Sequence, residues 1–220
     1  METTGLYIKG DFLSRMSKKE TVIFFQILRI TNSLEFWSRL HLVIKEEQNK
    51  VFEERNRMEL YFTISSIYKE LTKEFCNNLA DDILNMNLSK DLSLKVSEYK
   101  AWLLNWKQDE YLQVVDRIRN DLRFHMKSSI YDKYIKDGDK SEDLLVGIAI
   151  GEQYKDFLYI EPYTFEISHI AEIVPASAGE DKIGWIKKRV GEETGKFIKL
   201  LREIIREIIK GNAYKKIIDS

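Results

Sequence analysis

Proline is nearly missing from this chain: of 220 residues only Pro162 and Pro175 are proline, and ten glycines are spread thinly. A proline inside a helix removes a backbone hydrogen bond and clashes with the preceding turn, so a stretch without it is free to form long helices. Apolar residues recurring every three or four positions supply each such helix with a face to bury. The 44% hydrophobic content is enough to build a core from those faces. These features predict a mainly α fold, a bundle of long helices in one domain over residues 1–220, with room for one small β-hairpin near residues 146–167.

Taken in order, the chain starts with a stretch from Met1 to Met16 that is open between an edge strand and an irregular lead-in. Ser17 and Glu20 have capping-box spacing, which predicts a helix from there through Val22, Phe25 and Leu28 toward Glu47. A second helix is predicted from about Val51 to Leu84, with Met58, Phe62, Tyr68, Leu71, Phe75 and Leu79 on one side and Asn85-Met86-Asn87 as its stop. Ser89 or Asp91 can cap a third, in which Leu92, Val96, Tyr99, Leu103 and Trp106 mark a bundle seam. Trp102 and Trp106, four apart, belong to that packing rather than to a base-stacking platform.

A fourth helix is predicted from about Glu110 to Ile135, with a turn at Asp137-Gly138-Asp139. Beyond it Ser141 can cap a short helix, while Val146, Ile148 and Ile150 alternate as in a strand, and the aromatic run between Tyr154 and Val174 leaves a hairpin open. From Asp181 the pattern is helical again, with Gly191 or Gly195 as the place for a break and Phe197, Leu201, Ile204 and Ile208 as the apolar stripe. Lys196, Lys199, Arg202, Arg206 and Lys210 form the opposite face, read as a solvated basic surface ahead of a nucleic-acid contact.

The net charge of −1 speaks against a wholesale polyanion binder, yet the cations are clustered. Residues 182–216 carry eleven Lys or Arg against four Glu, and residues 117–136 carry six against two acids. The lone Cys76 excludes an internal disulfide, and one cysteine with three scattered histidines is too few for a Cys/His zinc site. No apolar run reaches the roughly 18 residues of a membrane span, and no secretory signal opens the chain. The expectation is a soluble, cytoplasmic protein without a metal or cofactor.

Chemistry concentrates in Arg117-Ile118-Arg119-Asn120-Asp121-Leu122-Arg123-Phe124-His125, the only place where a histidine sits beside several arginines. Val115, Ile118 and Leu122 give this segment a buried face, so its arginines point partly outward. His41, among Leu40, Leu42 and Val43, and His169 have no second ligand at a metal spacing and read as structural. Arg119-Asn120 followed five residues later by His125 resembles the Arg-x(4–6)-His motif of the HEPN superfamily, helical domains of many prokaryotic ribonucleases, toxins and phage-defence proteins. Asn120 directly after the arginine and Phe124 directly before the histidine strengthen the likeness.

The resemblance implies a metal-independent endoribonuclease, since RNA carries its own nucleophile in the 2′-hydroxyl. His125 would be the general base or acid, Arg119 would offer a planar fork of donors to the phosphorane, and Asn120 would orient phosphate or imidazole. Arg117, Arg123 and Lys127 would grip the flanking RNA phosphates. Asp121, four before His125, could orient its ring or pair with a cation. On an ideal helix Arg119 and His125 lie roughly 120° apart, so one helix is half a site and a homodimer or partner is implied. Lys127 stands where toxins controlled by a nucleotidyltransferase antitoxin carry a modified tyrosine, which leaves another antitoxin or none. Two other classes stay open: a non-catalytic HEPN-like binder of RNA or a nucleotide, and a helical oligomerisation scaffold in which Arg119 pairs with an acidic neighbour helix.

Overall fold

A computed structural model describes residues 3–8, 11–44, 50–123, 147–149, 157–159, 171–210 and 213–218. The described residues are mainly helical. Helix α1, Lys18–Ile44, starts at a reciprocal capping box: the Glu20 amide donates to Ser17 Oγ at 3.2 Å and the Ser17 amide to Glu20 Oε2 at 2.8 Å. Those two hydrogen bonds favour the ionised carboxylate and hold Glu20 below its usual range. The face that enters the core is Ile23, Phe24, Ile27, Ile30 and Leu34, whereas Val22 and Phe25 are about half exposed at 49% and 52%.

Helix α2 spans Lys50–Glu74, and Ala80–Leu84 is α3; between them Phe75–Leu79 forms a wide π turn. The predicted second helix is therefore a single rod with one extra residue inserted near its end. Met58, Phe62, Tyr68, Leu71, Phe75 and Leu79 are all buried, as their spacing required. Thr31, Ser65 and Ser66 are buried too, each hydroxyl donating to the carbonyl four residues back, which lets α1 and α2 meet through small side chains without an unpaired polar group.

Helix α4, Lys90–Leu104, begins after Ser89 and is followed by a tight turn at Trp106–Gln108. Asp109 then caps α5, Glu110–Arg117, accepting the Leu112 amide at 2.9 Å on one oxygen and the Trp102 indole N–H at 2.8 Å on the other. One carboxylate thus starts a helix and fixes a tryptophan. Instead of the long α-helix expected to Ile135, α5 ends at Arg117 and continues as a π turn over Ile118–Arg123. The expected remainder of that helix, its Asp137–Asp139 stop and the Ser141 cap lie outside the described residues.

Helix α6, Lys182–Ile208, is capped by Asp181, which accepts the Gly184 amide at 2.7 Å, and it does not break at Gly191 or Gly195. Each glycine costs a helix interior about 1 kcal/mol, but Ile186, Val190, Phe197, Leu201 and Ile204 are all buried, and that burial offsets the cost. Two short sheets complete the description. Strand β1, Thr3–Ile8, pairs antiparallel with β4, Ala213–Ile218, and Gly147–Ala149 (β2) pairs antiparallel with Phe157–Tyr159 (β3). The sequence reading left β1 open and contained no strand at β4, where Lys215 and Lys216 obscure the apolar flanks Tyr214, Ile217 and Ile218. No helix among the described residues is long and apolar enough to cross a membrane.

One buried cluster draws on α1, α2, α4, α5 and α6. Its centre is aromatic. Phe197 of α6 stacks on Tyr99 of α4 with ring centres 5.1 Å apart and meets Phe75 edge-on at 5.2 Å, while the Tyr68 and Tyr99 hydroxyls share a hydrogen bond of 2.8 Å. Burial pushes Tyr68, Tyr99 and Tyr111 well above the usual phenol range, and raises the Cys76 thiol from 9.0 to about 11.

Truncating Phe197→Ala removes the ring that α2 and α4 share and should destabilise by about 3–5 kcal/mol, read from urea unfolding. The raised acids set a pH dependence. Above its ordinary value each group deprotonates in the unfolded chain while staying protonated in the folded one, so stability is full below pH 9 and falls as pH rises toward 11. Chemical denaturation across pH 7–11 checks this, and a flat profile contradicts it.

Candidate functional site

The π turn at Ile118–Arg123 is where the sequence motif begins. Val114, Val115 and Ile118 are buried against the core, which anchors one side of the turn and leaves Arg119 and Asn120 half-buried at its edge. Such wide turns insert a residue into the helical register and re-aim the side chains that follow. His125, the other end of the expected Arg119–His125 separation, lies outside the described residues.

A chain of polar contacts ties the turn to α2. Arg119 Nη1 donates to Asn120 Oδ1 at 2.7 Å, and Asn120 Nδ2 donates to Asp116 Oδ2 at 3.0 Å. The other Asp116 oxygen lies 3.2 Å from Lys69 Nζ, and Arg119 Nε forms an ion pair with Glu70. Asn120 thus orients the guanidinium through its carbonyl while its own amide is held by Asp116. The Arg119 side chain is 22% exposed and that of Glu70 41%, both open on one side, while the two atoms that meet, Arg119 Nε and Glu70 Oε1, are themselves buried.

That side is a cleft of about 330 Å³ between the second half of α2 and the ends of α4 and α5. Lys69, Lys73, Cys76, Trp106, Asp116 and Arg119 line it. The Lys69 ammonium sits 4.8 Å from the centre of the Trp106 ring and that of Lys107 5.9 Å, so cations border an aromatic face. Cys76 donates to the Lys100 carbonyl at 3.8 Å, and burial keeps its thiol protonated near neutrality, which removes it as a nucleophile. A guanidinium fork and two ammonium groups beside an indole can hold a phosphate and the flat ring attached to it.

Of the sequence-predicted site residues, Arg119 and Asn120 meet at this cleft. Arg117 does not line it: its side chain is 53% exposed and its Nε lies 3.7 Å from Asp121, a buried carboxylate one turn on. Arg123 closes the π turn, but its side chain, like His125, Phe124 and Lys127, lies outside the described residues. Sequence reading passed over Lys69, Glu70 and Lys73. Their signal was Lys69 and Lys73 at i and i+4, a polar strip between the core positions Tyr68, Leu71 and Phe75, which reads as ordinary solvated helix until α5 packs beside it. Trp106, assigned to packing, both packs on the core and borders the cleft.

Comparison with family models, with curated proteins and with solved structures finds no match for this chain.

A double-mutant cycle on Glu70→Ala and Arg119→Ala should give a coupling of about 0.2–1 kcal/mol in thermal or urea unfolding, the range of partly exposed ion pairs. A coupling of several kcal/mol would mean that the guanidinium is committed to Glu70 and closed to a ligand.

Proposed function

We propose that this chain is a metal-independent endoribonuclease of HEPN type that acts as a homodimer, a chemistry suited to a toxin or phage-defence effector. The observation that supports this reading is the Arg119–Asn120 pair, held by Asp116 at the rim of a cleft that also presents Lys69 and Lys73. A phosphodiester entering the cleft can take the place of Glu70 on Arg119, whose guanidinium offers the same fork of donors to a phosphate as to a carboxylate. The 2′-hydroxyl then attacks phosphorus. As the 2′,3′-cyclic phosphate forms, the bond to the 5′-oxygen breaks and leaves a 5′-hydroxyl. His125 takes the 2′ proton or delivers one to the departing oxygen, and the His125 of a second copy does the converse. Arg119 stabilises the charge that gathers on the phosphorane.

Purified protein incubated with mixed RNA in excess EDTA should cleave it. His125→Ala should lower the rate by about 10²–10⁴-fold while RNA affinity changes little, and Arg119→Ala should lower both. Cleavage that requires a divalent ion, or that survives both substitutions, rules the mechanism out. Glu70→Gln should tighten RNA binding a few-fold by removing the competing carboxylate.

One observation favours a second reading. Arg119 does pair with an acidic residue of a neighbouring helix, Glu70 of α2, as a helical scaffold protein would use it. In that case Arg119→Glu lowers the melting temperature and leaves RNA binding where it was.

A further inference from the structure

A second concavity, of about 510 Å³, lies between α4 and α6. That volume falls within the range of small-molecule sites. Its apolar wall is Tyr99, Trp102 and Leu200. The aromatic part of the wall is rigid: Tyr99 is backed by Phe197 and bonded through its hydroxyl to Tyr68, and the Trp102 indole N–H is bonded to Asp109. The two rings stand 5.4 Å apart at 49°, so the Trp102 face is held in place before any ligand arrives.

Two kinds of polar group complete the concavity. Glu193 is only 4% exposed, and Arg189 at 3.0 Å and Lys196 at 2.8 Å both meet its Oε1. Its Oε2 receives no hydrogen bond among the described residues. Both contacts fall on Oε1, so Oε2 is the oxygen left to accept from N–H donors. Lys199, one turn beyond Lys196, is exposed and has no ion-pair partner among the described residues; Lys95 reaches the concavity from α4 and pairs there with Glu203 at 3.2 Å and with Asp91 at 2.8 Å, solvent-screened pairs that a phosphate can displace.

We propose that this concavity binds a mononucleotide, with a guanine ring against Trp102 and the phosphate on Lys199 and Lys95. A flat ring suits the tryptophan face, an anion suits the lysines, and the buried acceptor selects among bases. Guanine alone places two donors, the ring N–H and the exocyclic amine, side by side along one edge, close enough for the single oxygen Oε2 to accept from both. The site shares no lining residue with the Arg119 cleft and does not depend on the ribonuclease reading.

Calorimetric and tryptophan-fluorescence titrations with GMP, IMP and inorganic phosphate test it. GMP should bind at least tenfold tighter than IMP, which lacks the exocyclic amine, and about a hundredfold tighter than phosphate. Lys199→Ala, a surface change that leaves the melting temperature intact, should weaken GMP at least fivefold, and Arg119→Ala should leave it unchanged. Glu193→Gln should abolish the preference for GMP over IMP; if that variant fails to fold, the GMP to IMP ratio of the unaltered protein and the Lys199→Ala result decide. Equal affinity for GMP and phosphate, or binding lost in Arg119→Ala and kept in Lys199→Ala, overturns the assignment.

Discussion

The stack of Phe197 on Tyr99, with Phe75 edge-on and Tyr68 bonded behind, is the contact on which the rest of the bundle depends. It joins three helices that are far apart in sequence, and its rings bury more apolar area than any aliphatic substitute could. Because Tyr68 and Tyr99 share one hydrogen bond, their hydroxyls enter the core without being left unpaired. Everything with chemical character sits around this cluster rather than in it. The Arg119 cleft and the Trp102 concavity share no lining residue, and both are walled by helices that pack on the aromatic centre.

The two π turns have a common consequence. Phe75–Leu79 interrupts a helix and Ile118–Arg123 follows the end of α5, both beside the same cleft, one bringing Cys76 and Asn77 to its wall and the other Arg119. An inserted residue gives up regular hydrogen bonding, and that loss persists only where surrounding packing imposes it. Here Phe75, Leu79 and Ile118 are buried on the core side and supply that packing. The polar side chains are left on the opposite side, in the contact chain from Lys69 through Asp116 and Asn120 to Arg119. Charge is thereby arranged in pairs with one face open, which is the condition under which a ligand phosphate can compete with a protein carboxylate.

Periodicity and end signals made much of the bundle legible before any coordinates. The Ser17 and Glu20 capping box, the helix stop at Asn85, the start at Glu110 and the buried set from Met58 to Leu79 all follow from local rules that act within a turn or two of chain. The unbroken path of α6 through Gly191 and Gly195 was not legible, because glycine's cost is local whereas the burial that offsets it comes from other helices. Nor was β4, whose partner among the described residues is β1, about two hundred residues earlier. The π turns escaped for the same reason: nothing in Ile118-Arg119-Asn120 distinguishes an α-helix from a wider turn until α2 packs against it.

Sequence by itself therefore determined the helical class, most helix starts, the apolar faces and the Arg119-Asn120 pair, since each depends on side chains within a few residues of one another. Only the tertiary structure decided that Lys69, Glu70 and Lys73 face that pair, that Arg117 turns to Asp121 instead, and that Glu193 becomes a nearly buried acceptor beside Trp102. Apart from Arg117 and Asp121, which are four apart, those relations join positions tens to about a hundred residues apart. Distance in space between such groups is set by how helices pack, and helix packing has no signature in any short stretch of chain.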